Sequence, residues 1–157
     1  MGVAGVGKTT IGQLLANRLA CEFLDADDFH PPANVAKMAA GTPLDDADRW
    51  PWLEHLNALL RERAAGGASA VLACSALKHA YRERLCRSVA DCRLVYLHAD
   101  ARVLQARLAA RTHRYMPASL LDSQLATLEP PADAIAVDAA APPEHCAQVI
   151  AAALTRP

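Results

Sequence analysis

Residues 2–9 carry the spacing G-x-x-x-x-G-K-[ST], in which Lys8 and Thr9 are the last two fixed positions. Glycines let the backbone N–H groups of such a loop turn inward around a phosphate, and a helix pattern that starts at Lys8 adds its own unpaired N–H groups. The motif predicts ATP binding, with Lys8 at the β- and γ-phosphates and Thr9 on Mg²⁺. The alternative is a glycine-rich turn before an ordinary helix. The predicted contacts are Gly2, Val3, Ala4, Gly5, Val6, Gly7, Lys8, Thr9 and Thr10.

Two acidic residues, Asp25 and Asp27, follow a short strand-like run at residues 21–25. Ligands of open α/β sheets bind at the carboxyl ends of the strands, and residues two apart on an extended chain point the same way. We therefore expect Asp25 to serve the Mg²⁺ shell and Asp27 to accept the hydrogen bond of an attacking hydroxyl. The alternative is an acidic turn that caps the next helix.

The elements that must position these residues alternate between strand-like and helix-period runs. Strand-like runs occupy residues 21–25, 70–74, 94–97 and 134–137. Helical patterns occupy residues 8–19, 31–41, 45–66, 78–84, 101–111, 118–128 and 144–154. The alternation predicts an α/β fold of three layers, in which helices cover both faces of a parallel sheet.

A phosphate loop of this kind normally follows a buried central strand, yet the sequence starts at Met1. Without a strand of about five residues, on the order of ten backbone groups on the neighbouring strands would lack partners. We therefore expect the central strand to be missing from this chain. We also expect Met1 to be an internal methionine of a product that starts several apolar residues earlier.

Length and charge limit the remaining classes. The 157 residues favour a single domain, and 16 Lys+Arg against 17 Asp+Glu give a net charge of −1. That balance provides no electrostatic case for binding nucleic acid or an anionic membrane surface. The sequence has no apolar run of about 18 residues, and we identify no secretion signal. We expect a cytoplasmic protein with five reduced cysteines and, given the histidine spacing, no zinc site.

Three segments resemble the gluconokinase family. Residues 30–53 are similar to its pattern H-P-x-x-N-x-x-K-M-x-x-G-x-P-L-x-D-x-D-R-x-P-W-L. Residues 74–82 are similar to C-S-A-L-K-x-x-Y-R, and residues 120–129 to L-L-x-S-Q-[FL]-x-x-L-E. Together with the phosphate loop, these matches are distributed along the chain from residue 2 to residue 129.

The resemblance implies a P-loop kinase fold like that of nucleoside-monophosphate and shikimate kinases. It implies a five-stranded parallel sheet in one domain over residues 1–157, a lid at about 112–117 and a substrate-binding helical insert at about 28–65. The implied reaction transfers the γ-phosphoryl group of ATP to the 6-hydroxyl of D-gluconate, which gives 6-phospho-D-gluconate and ADP. A homodimer is implied by the family only.

Gluconate has one carboxylate and many hydroxyls, and the chain offers groups suited to both. Guanidinium and ammonium groups can hold the carboxylate, while His30, Asp27 and Asn34 can bind hydroxyls. The alternative places the cations on the solvated surface, with Arg49 beside Asp45 or Asp46. The predicted substrate residues are Asp27, His30, Asn34, Lys37, Arg49, Lys78 and Arg82.

Arg107 and Arg111 are four apart and would share one helix face, where the resemblance places them beside the transferred phosphoryl group. Arg111 is also expected to contact ATP; the alternative for both is solvent exposure. The family usually has Gly-His-[FY] where this chain has residues 113–115, His-Arg-Tyr, which changes the expected lid hinge. The predicted catalytic residues are Lys8, Asp27, Arg107 and Arg111.

Two other functions fit parts of the sequence. A shikimate kinase-like enzyme would share the loop and the fold, but the pattern over residues 30–53 argues against it. A nucleotide-binding protein without turnover would fit the missing strand and the altered lid. An ATP-consumption assay with gluconate and with shikimate separates the three.

Overall fold

The computed structural model describes residues 1–110 and 118–155. Within these ranges, helices and strands alternate along the chain as the sequence patterns predict. The elements are α1 (Lys8–Leu19), β1 (Glu22–Asp25), a 3₁₀ helix (Ala26–Phe29), α2 (Pro32–Ala39), α3 (Asp46–Ala65), β2 (Ala70–Ala73), α4 (His79–Cys86), β3 (Val95–His98), α5 (Ala101–Ala109), α6 (Ala118–Thr127), β4 (Ile135–Asp138) and α7 (Pro143–Leu154).

The helix boundaries follow local chemistry. Helix α1 begins after Gly7, which has φ 100°, and ends at Ala20, which is left-handed at φ 51°. Helix α3 begins with a capping box, in which Asp45 and Asp48 each accept the other's backbone N–H. The capping box satisfies backbone N–H groups that the start of α3 would leave unpaired, and the Ala20 N–H satisfies carbonyls at the end of α1. The predicted starts of both helices are confirmed.

The strands form two parallel pairs. Strand β1 pairs with β2, from Glu22 opposite Ala70 to Asp25 opposite Ala73. Strand β3 pairs with β4, from Val95 opposite Ile135 to His98 opposite Asp138. The parallel arrangement is confirmed. The described residues contain four strands rather than the five that the resemblance implies.

The backbone around Met1 bridges the two pairs. The Met1 amino group donates to Val95 O at 2.6 Å, and Leu97 N donates to Met1 O at 3.0 Å. Gly2 N donates to Ser75 O at 3.2 Å, just beyond β2. Met1 also lines a cavity of about 500 Å³, whose walls come mainly from α1, from β2 with the residues just before it, and from the loop at residues 89–94. The expectation of an earlier start stays a prediction.

Side chains alternate between the two faces of the sheet. Val71 and Val95 pack into one buried cluster, and their neighbours Leu72 and Tyr96 pack into another. We call these the α7 cluster and the α3 cluster, after the helix that contributes most to each. The α7 cluster includes Val3, Val6, Ile11, Leu15, Leu97, Leu104, Leu121, Val137 and Ile150. The α3 cluster includes Met1, Ala26, Trp52, Leu53, Leu56, Cys74, Tyr81 and Leu85. Two buried layers on opposite sheet faces confirm the three-layer α/β prediction.

The expectation of five reduced cysteines is wrong for one pair. Cys86 ends α4, and the turn that follows brings Cys92 back to a Cα–Cα distance of 5.8 Å, where a disulfide joins them. Ser88 and Asp91 have positive φ in that turn, which the residue spacing did not indicate. Over residues 1–110 and 118–155, no helix has the length and apolar character needed to cross a membrane.

Candidate active site

Position 2 of the phosphate loop requires glycine because the backbone there lies against β3. Gly2, Gly5 and Gly7 have φ values of 145°, 80° and 100°. A Cβ atom built on Gly2 would lie 2.5 Å from the carbonyl oxygen of Leu97, closer than real Cβ contacts allow. The loop is therefore shaped by backbone conformation rather than by side chains, as the binding of phosphate by main-chain amides requires.

The phosphate loop has buried residues in its middle and exposed residues at the start of α1. Val3, Ala4 and Val6 are buried, while the hydroxyl residues Thr9 and Thr10 at the start of α1 are exposed. The side chain of Lys8 folds back over the loop, and its Nζ donates to the carbonyl of Val3 at 3.1 Å. The predicted contact residues thus form one continuous stretch of chain with a buried side and an exposed end. The helix start opens to solvent, where phosphates could enter.

A second set of oxygen ligands lies beside the helix start. Thr9 Oγ1 donates to Asp25 Oδ2 at 3.0 Å, although the two residues belong to α1 and β1. A threonine hydroxyl and an aspartate carboxylate are oxygen ligands of the kind Mg²⁺ takes beside nucleotide phosphates. The two predicted metal residues therefore come together. The described residues contain no group of three or more His, Cys, Asp or Glu side chains arranged for a metal ion.

Asp27 reaches the same place by a different geometry from the one expected. It lies in the 3₁₀ helix, not on an extended chain, and its N–H donates to Asp25 Oδ1 at 3.2 Å. Asp25 thus caps that turn, as the capping alternative expects. The roles expected for Asp25 and Asp27 in phosphoryl transfer stay predictions. Capping by Asp25 brings the Asp27 carboxylate round beside the loop, and this is the physical reason for the difference.

The charges around Asp27 give it unusual acid–base behaviour. Desolvation and then the negative charge of Asp25 raise the pKa of the Asp27 carboxyl, while His30 and Lys8 oppose the shift. Its side chain is 82% exposed, so water moderates the effect. His30 Nε2 lies 3.9 Å from Asp27 Oδ1, and desolvation lowers the pKa of His30 against the opposing effect of Asp27. A carboxylate and an imidazole placed side by side in this way are groups that can accept or donate hydrogen bonds to a hydroxyl.

His30 is fixed by an aromatic neighbour. Its ring stacks on Trp52 with centroids 4.1 Å apart and an interplanar angle of 15°. The Trp52 Nε1–H donates to the carbonyl of Ala26 at 2.9 Å, next to Asp27. Asn34, which is buried, donates to the Asp48 carbonyl at 2.9 Å and lies 3.5 Å from His30 Nδ1. Three of the predicted substrate residues therefore lie in one connected group with Trp52.

The predicted substrate cations bind groups of the protein in this structure. Lys37 Nζ contacts Asp48 Oδ1 at 2.6 Å, and Lys78 Nζ contacts Asp46 Oδ1 at 2.7 Å. These two carboxylates belong to the first turn of α3, so ion pairs connect α2 and the start of α4 to α3. Arg49 donates to the Leu44 carbonyl at 3.2 Å rather than to Asp45 or Asp46.

Arg82 and Tyr81 occupy the next positions on α4. Arg82 is buried, and its Nη1 donates to the carbonyls of Ala76 and Leu77 at 3.1 and 3.0 Å. The Tyr81 hydroxyl donates to Asp46 Oδ1, and Lys78 Nζ lies 5.4 Å from the centre of its ring. Tyr81 was not among the predicted residues. Its place in the pattern C-S-A-L-K-x-x-Y-R, beside Arg82, was the signal that could have found it.

Of the two arginines predicted to lie beside the transferred phosphoryl group, the structure describes Arg107. Arg107, on α5, donates through Nη2 to the carbonyl of Ala139 at 2.7 Å, just beyond β4. Arg111 and the expected lid at residues 112–117 lie outside the described residues. The alternative of simple solvent exposure does not hold for Arg107, because its guanidinium has a backbone partner.

Two residues that the sequence interpretation did not single out touch these regions. Gln124 Oε1 accepts the Ala4 N–H at 2.6 Å, and Glu129 Oε2 accepts the His79 N–H at 2.5 Å. Both belong to the pattern L-L-x-S-Q-[FL]-x-x-L-E, which was their only signal. Their contacts are decided by tertiary packing.

Known proteins resemble this chain over most of its length. A family model described as "AAA domain" matches residues 1–131. The chain is 51% identical over 133 residues to a gluconokinase from Gluconobacter oxydans, which covers 85% of this chain and 75% of that protein. The chain belongs to the gluconokinase family. The resemblance stated from the sequence motifs is confirmed.

Solved structures place the fold of this gluconokinase-family chain among the P-loop kinases. An unliganded sugar kinase from Janibacter sp. superposes with a TM-score of 0.86 at 46% identity, over 99% of this chain and 90% of that one. A gluconokinase from Sinorhizobium meliloti gives a TM-score of 0.86 at 42% identity, over 99% and 89%. A shikimate kinase from Acinetobacter baumannii, at 20% identity and a TM-score of 0.59, shares the fold alone, over 95% and 87%.

Proposed function

We propose that this chain is a gluconokinase that transfers the γ-phosphoryl group of ATP to the 6-hydroxyl of D-gluconate, which gives 6-phospho-D-gluconate and ADP. The observation that carries the proposal is the meeting of Thr9, Asp25 and Asp27 beside a glycine-shaped phosphate loop. Relatives named gluconokinase, 40–51% identical, support the choice of acceptor. The cytoplasmic location and the homodimer stay predictions.

The nucleotide side supplies a phosphate cradle and a metal site. The amides of the loop and the ammonium of Lys8 would hold the triphosphate, and Thr9 and Asp25 would hold Mg²⁺. When bound, Mg·ATP supplies the phosphoryl group and part of the positive charge that its transfer requires. Lys8, whose Nζ donates to the Val3 carbonyl, would then give up that contact for phosphate oxygens.

On the acceptor side, Asp27 has the central role. Its carboxylate would accept a hydrogen bond from the 6-hydroxyl and orient the hydroxyl oxygen toward the cradle. His30 and Asn34, held by Trp52 and the Asp48 carbonyl, would bind further hydroxyls of the chain-like substrate. The cations Lys37, Arg49, Lys78 and Arg82 would hold the sugar-acid carboxylate.

Arg107 and Arg111 would stabilise charge on the transferred group, and a lid over residues 112–117 would exclude water. Arg107 begins from a contact with the Ala139 carbonyl, so it would have to release that oxygen to reach a phosphate. These roles are proposals that rest on helix spacing and on the family resemblance.

An ADP-release assay with three acceptors tests the proposal. Mg·ATP is supplied with D-gluconate, with shikimate, or with no acceptor. We expect turnover only with gluconate, and ³¹P NMR of the product should show a phosphate on a primary alcohol. Turnover with shikimate and not with gluconate would show that the proposed acceptor is wrong. Mg·ATP binding without turnover on either acceptor would favour a nucleotide-binding protein.

A further inference from the structure

One segment of the chain touches both halves of the site. This segment consists of helix α6 and the residues up to 129. It contacts the phosphate loop through Gln124 and the start of α4 through Glu129. Leu121 is 1% exposed and packs in the α7 cluster beside Val3 and Val6. Leu128, two turns further on, packs against both the α7 cluster and the α3 cluster. The segment is therefore held by apolar contacts on both sides of the sheet.

At one end of this segment, Gln124 forms a hydrogen bond with the phosphate loop. Leu121 and Gln124 are three apart on α6, so the buried leucine directs the amide side chain toward the same neighbour. Gln124 Oε1 accepts the backbone N–H of Ala4 at 2.6 Å. Ala4 is buried in the middle of the loop, where its N–H would otherwise lack a partner within the loop. This hydrogen bond fixes the direction of one loop peptide.

At the other end, Glu129 caps the helix that carries acceptor-side cations. The natural N-cap of α4, Lys78, makes no side-chain cap hydrogen bond. Glu129 supplies the missing acceptor through Oε2 to the His79 N–H, and its own N–H donates to the Leu77 carbonyl at 2.9 Å. A carboxylate at a helix N-terminus is favourable because of the unpaired amides and the helix dipole. Lys78 and Arg82 are thereby held relative to α6.

We propose that Gln124 and Glu129 are positioning residues with separate effects: Gln124 orients the phosphate loop for the nucleotide, and Glu129 orients α4 for the acceptor. Together they fix the position of the nucleotide half of the site relative to the acceptor half. The assignment of the acceptor half rests on the proposed function. The assignment of the nucleotide half rests only on the loop geometry.

Four substitutions test the separation. Gln124→Met removes the acceptor with little change of shape, and Glu129→Ala removes the cap. We expect Gln124→Met to raise the KM for Mg·ATP about three- to tenfold, with the KM for gluconate within about twofold of wild type. Glu129→Ala should do the reverse. Glu129→Gln, whose amide oxygen can still accept from His79, should restore most of the gluconate KM.

Gln124→Glu gives a check that does not depend on a change of shape. Its carboxylate can still accept the Ala4 N–H but places a negative charge beside the phosphates, so we expect a weaker Mg·ATP affinity than in Gln124→Met. Asp122→Asn, on the exposed side of the same helix, is the matched control and should change neither constant. Circular dichroism and thermal melting confirm that each variant folds.

Calorimetric titration with Mg·ATP and, separately, with gluconate gives a readout besides turnover. The proposal is overturned if both variants change both constants together, if neither changes any, or if Gln124→Met tightens Mg·ATP binding, which would mean that Gln124 competes with phosphate. A wild-type chain that binds Mg·ATP but ignores gluconate would refute the proposed function instead. In that case the Mg·ATP titrations of the Gln124 variants still test whether Gln124 orients the phosphate loop.

Discussion

The nucleotide side and the acceptor side of this site are built in different ways. The nucleotide side is one continuous stretch of chain, shaped by glycine conformations and by a backbone that touches β3. The acceptor side collects side chains from the 3₁₀ helix, α2, α3 and α4, and connects them through ion pairs and a stacked aromatic ring. The first can be read from a motif. The second depends on the relative placement of four elements.

The difference predicts how each side responds to damage. A change in a backbone-built site should either remove one charge or disturb the fold itself. A change in a side-chain-built site should weaken one contact at a time, with the others still in place. The following experiments test this contrast, from the largest expected effect to the smallest.

Lys8→Ala should nearly abolish turnover, with a loss of about a thousandfold in kcat, because no other predicted group in the loop carries a positive charge to the phosphates. The fold should stay intact by circular dichroism. Arg18→Ala, an exposed cation in the last turn of the same helix, should retain full activity. Substantial turnover in Lys8→Ala would remove the central role given to the loop.

Gly2→Ala should destabilise the whole chain by about 2–4 kcal/mol, since the added Cβ meets the Leu97 carbonyl and the residue must keep φ 145°. Gly41→Ala is the matched control: it also has positive φ, 72°, but nothing lies within 4 Å of its Cβ. Its cost should be only about 1 kcal/mol. Urea unfolding of the three proteins measures the difference. Equal costs would mean that the contact with β3 is unimportant.

Asp27→Asn should lower kcat about a hundredfold and leave the calorimetric Mg·ATP affinity unchanged, because the lost carboxylate serves the acceptor hydroxyl. The variant should also be slightly more stable than wild type at pH 7. A raised pKa in the folded chain means that ionisation of Asp27 opposes folding above that pKa. A parallel loss of Mg·ATP binding would place Asp27 in the nucleotide site.

Asp46→Asn should raise the KM for gluconate about two- to fivefold, because Lys78 and Tyr81 lose the carboxylate that positions them. Glu54→Gln, which removes another α3 carboxylate that pairs with Arg84, is the control and should leave this constant unchanged. Steady-state kinetics with varied gluconate measures both. A fall in KM would show that Asp46 competes with the substrate carboxylate for Lys78.

The acid side of the pH profile should report Asp27. Desolvation and Asp25 raise its pKa, so the acid limb of kcat/KM should lie above the ordinary aspartate value of about 3.9. Activity should rise as the pH increases through that limb, since the ionised form accepts the hydrogen bond. The limb should disappear in Asp27→Asn, whose residual rate should not depend on this ionisation. An unchanged limb would belong to another group.

The sequence alone determined the chemistry and most of the secondary structure. The loop at residues 2–9, the capping residue Asp45 and the apolar runs β1 to β4 depend on nearest-neighbour chemistry, and each lies within two residues of its prediction. Glycine conformation, helix capping and side-chain periodicity are local properties, so a single chain suffices to predict them.

Only the tertiary structure decided which distant groups meet. The turn around Asp27 and the Cys86–Cys92 disulfide join residues two and six apart, so they are local features that the sequence patterns did not reveal. The contact of Thr9 with Asp25 depends on how elements pack. So do the contacts of Gln124 and Glu129, which lie 120 and 50 residues along the chain from their partners. Sequence spacing carries no distance information across a sheet, because buried apolar layers set the separation and orientation of the elements.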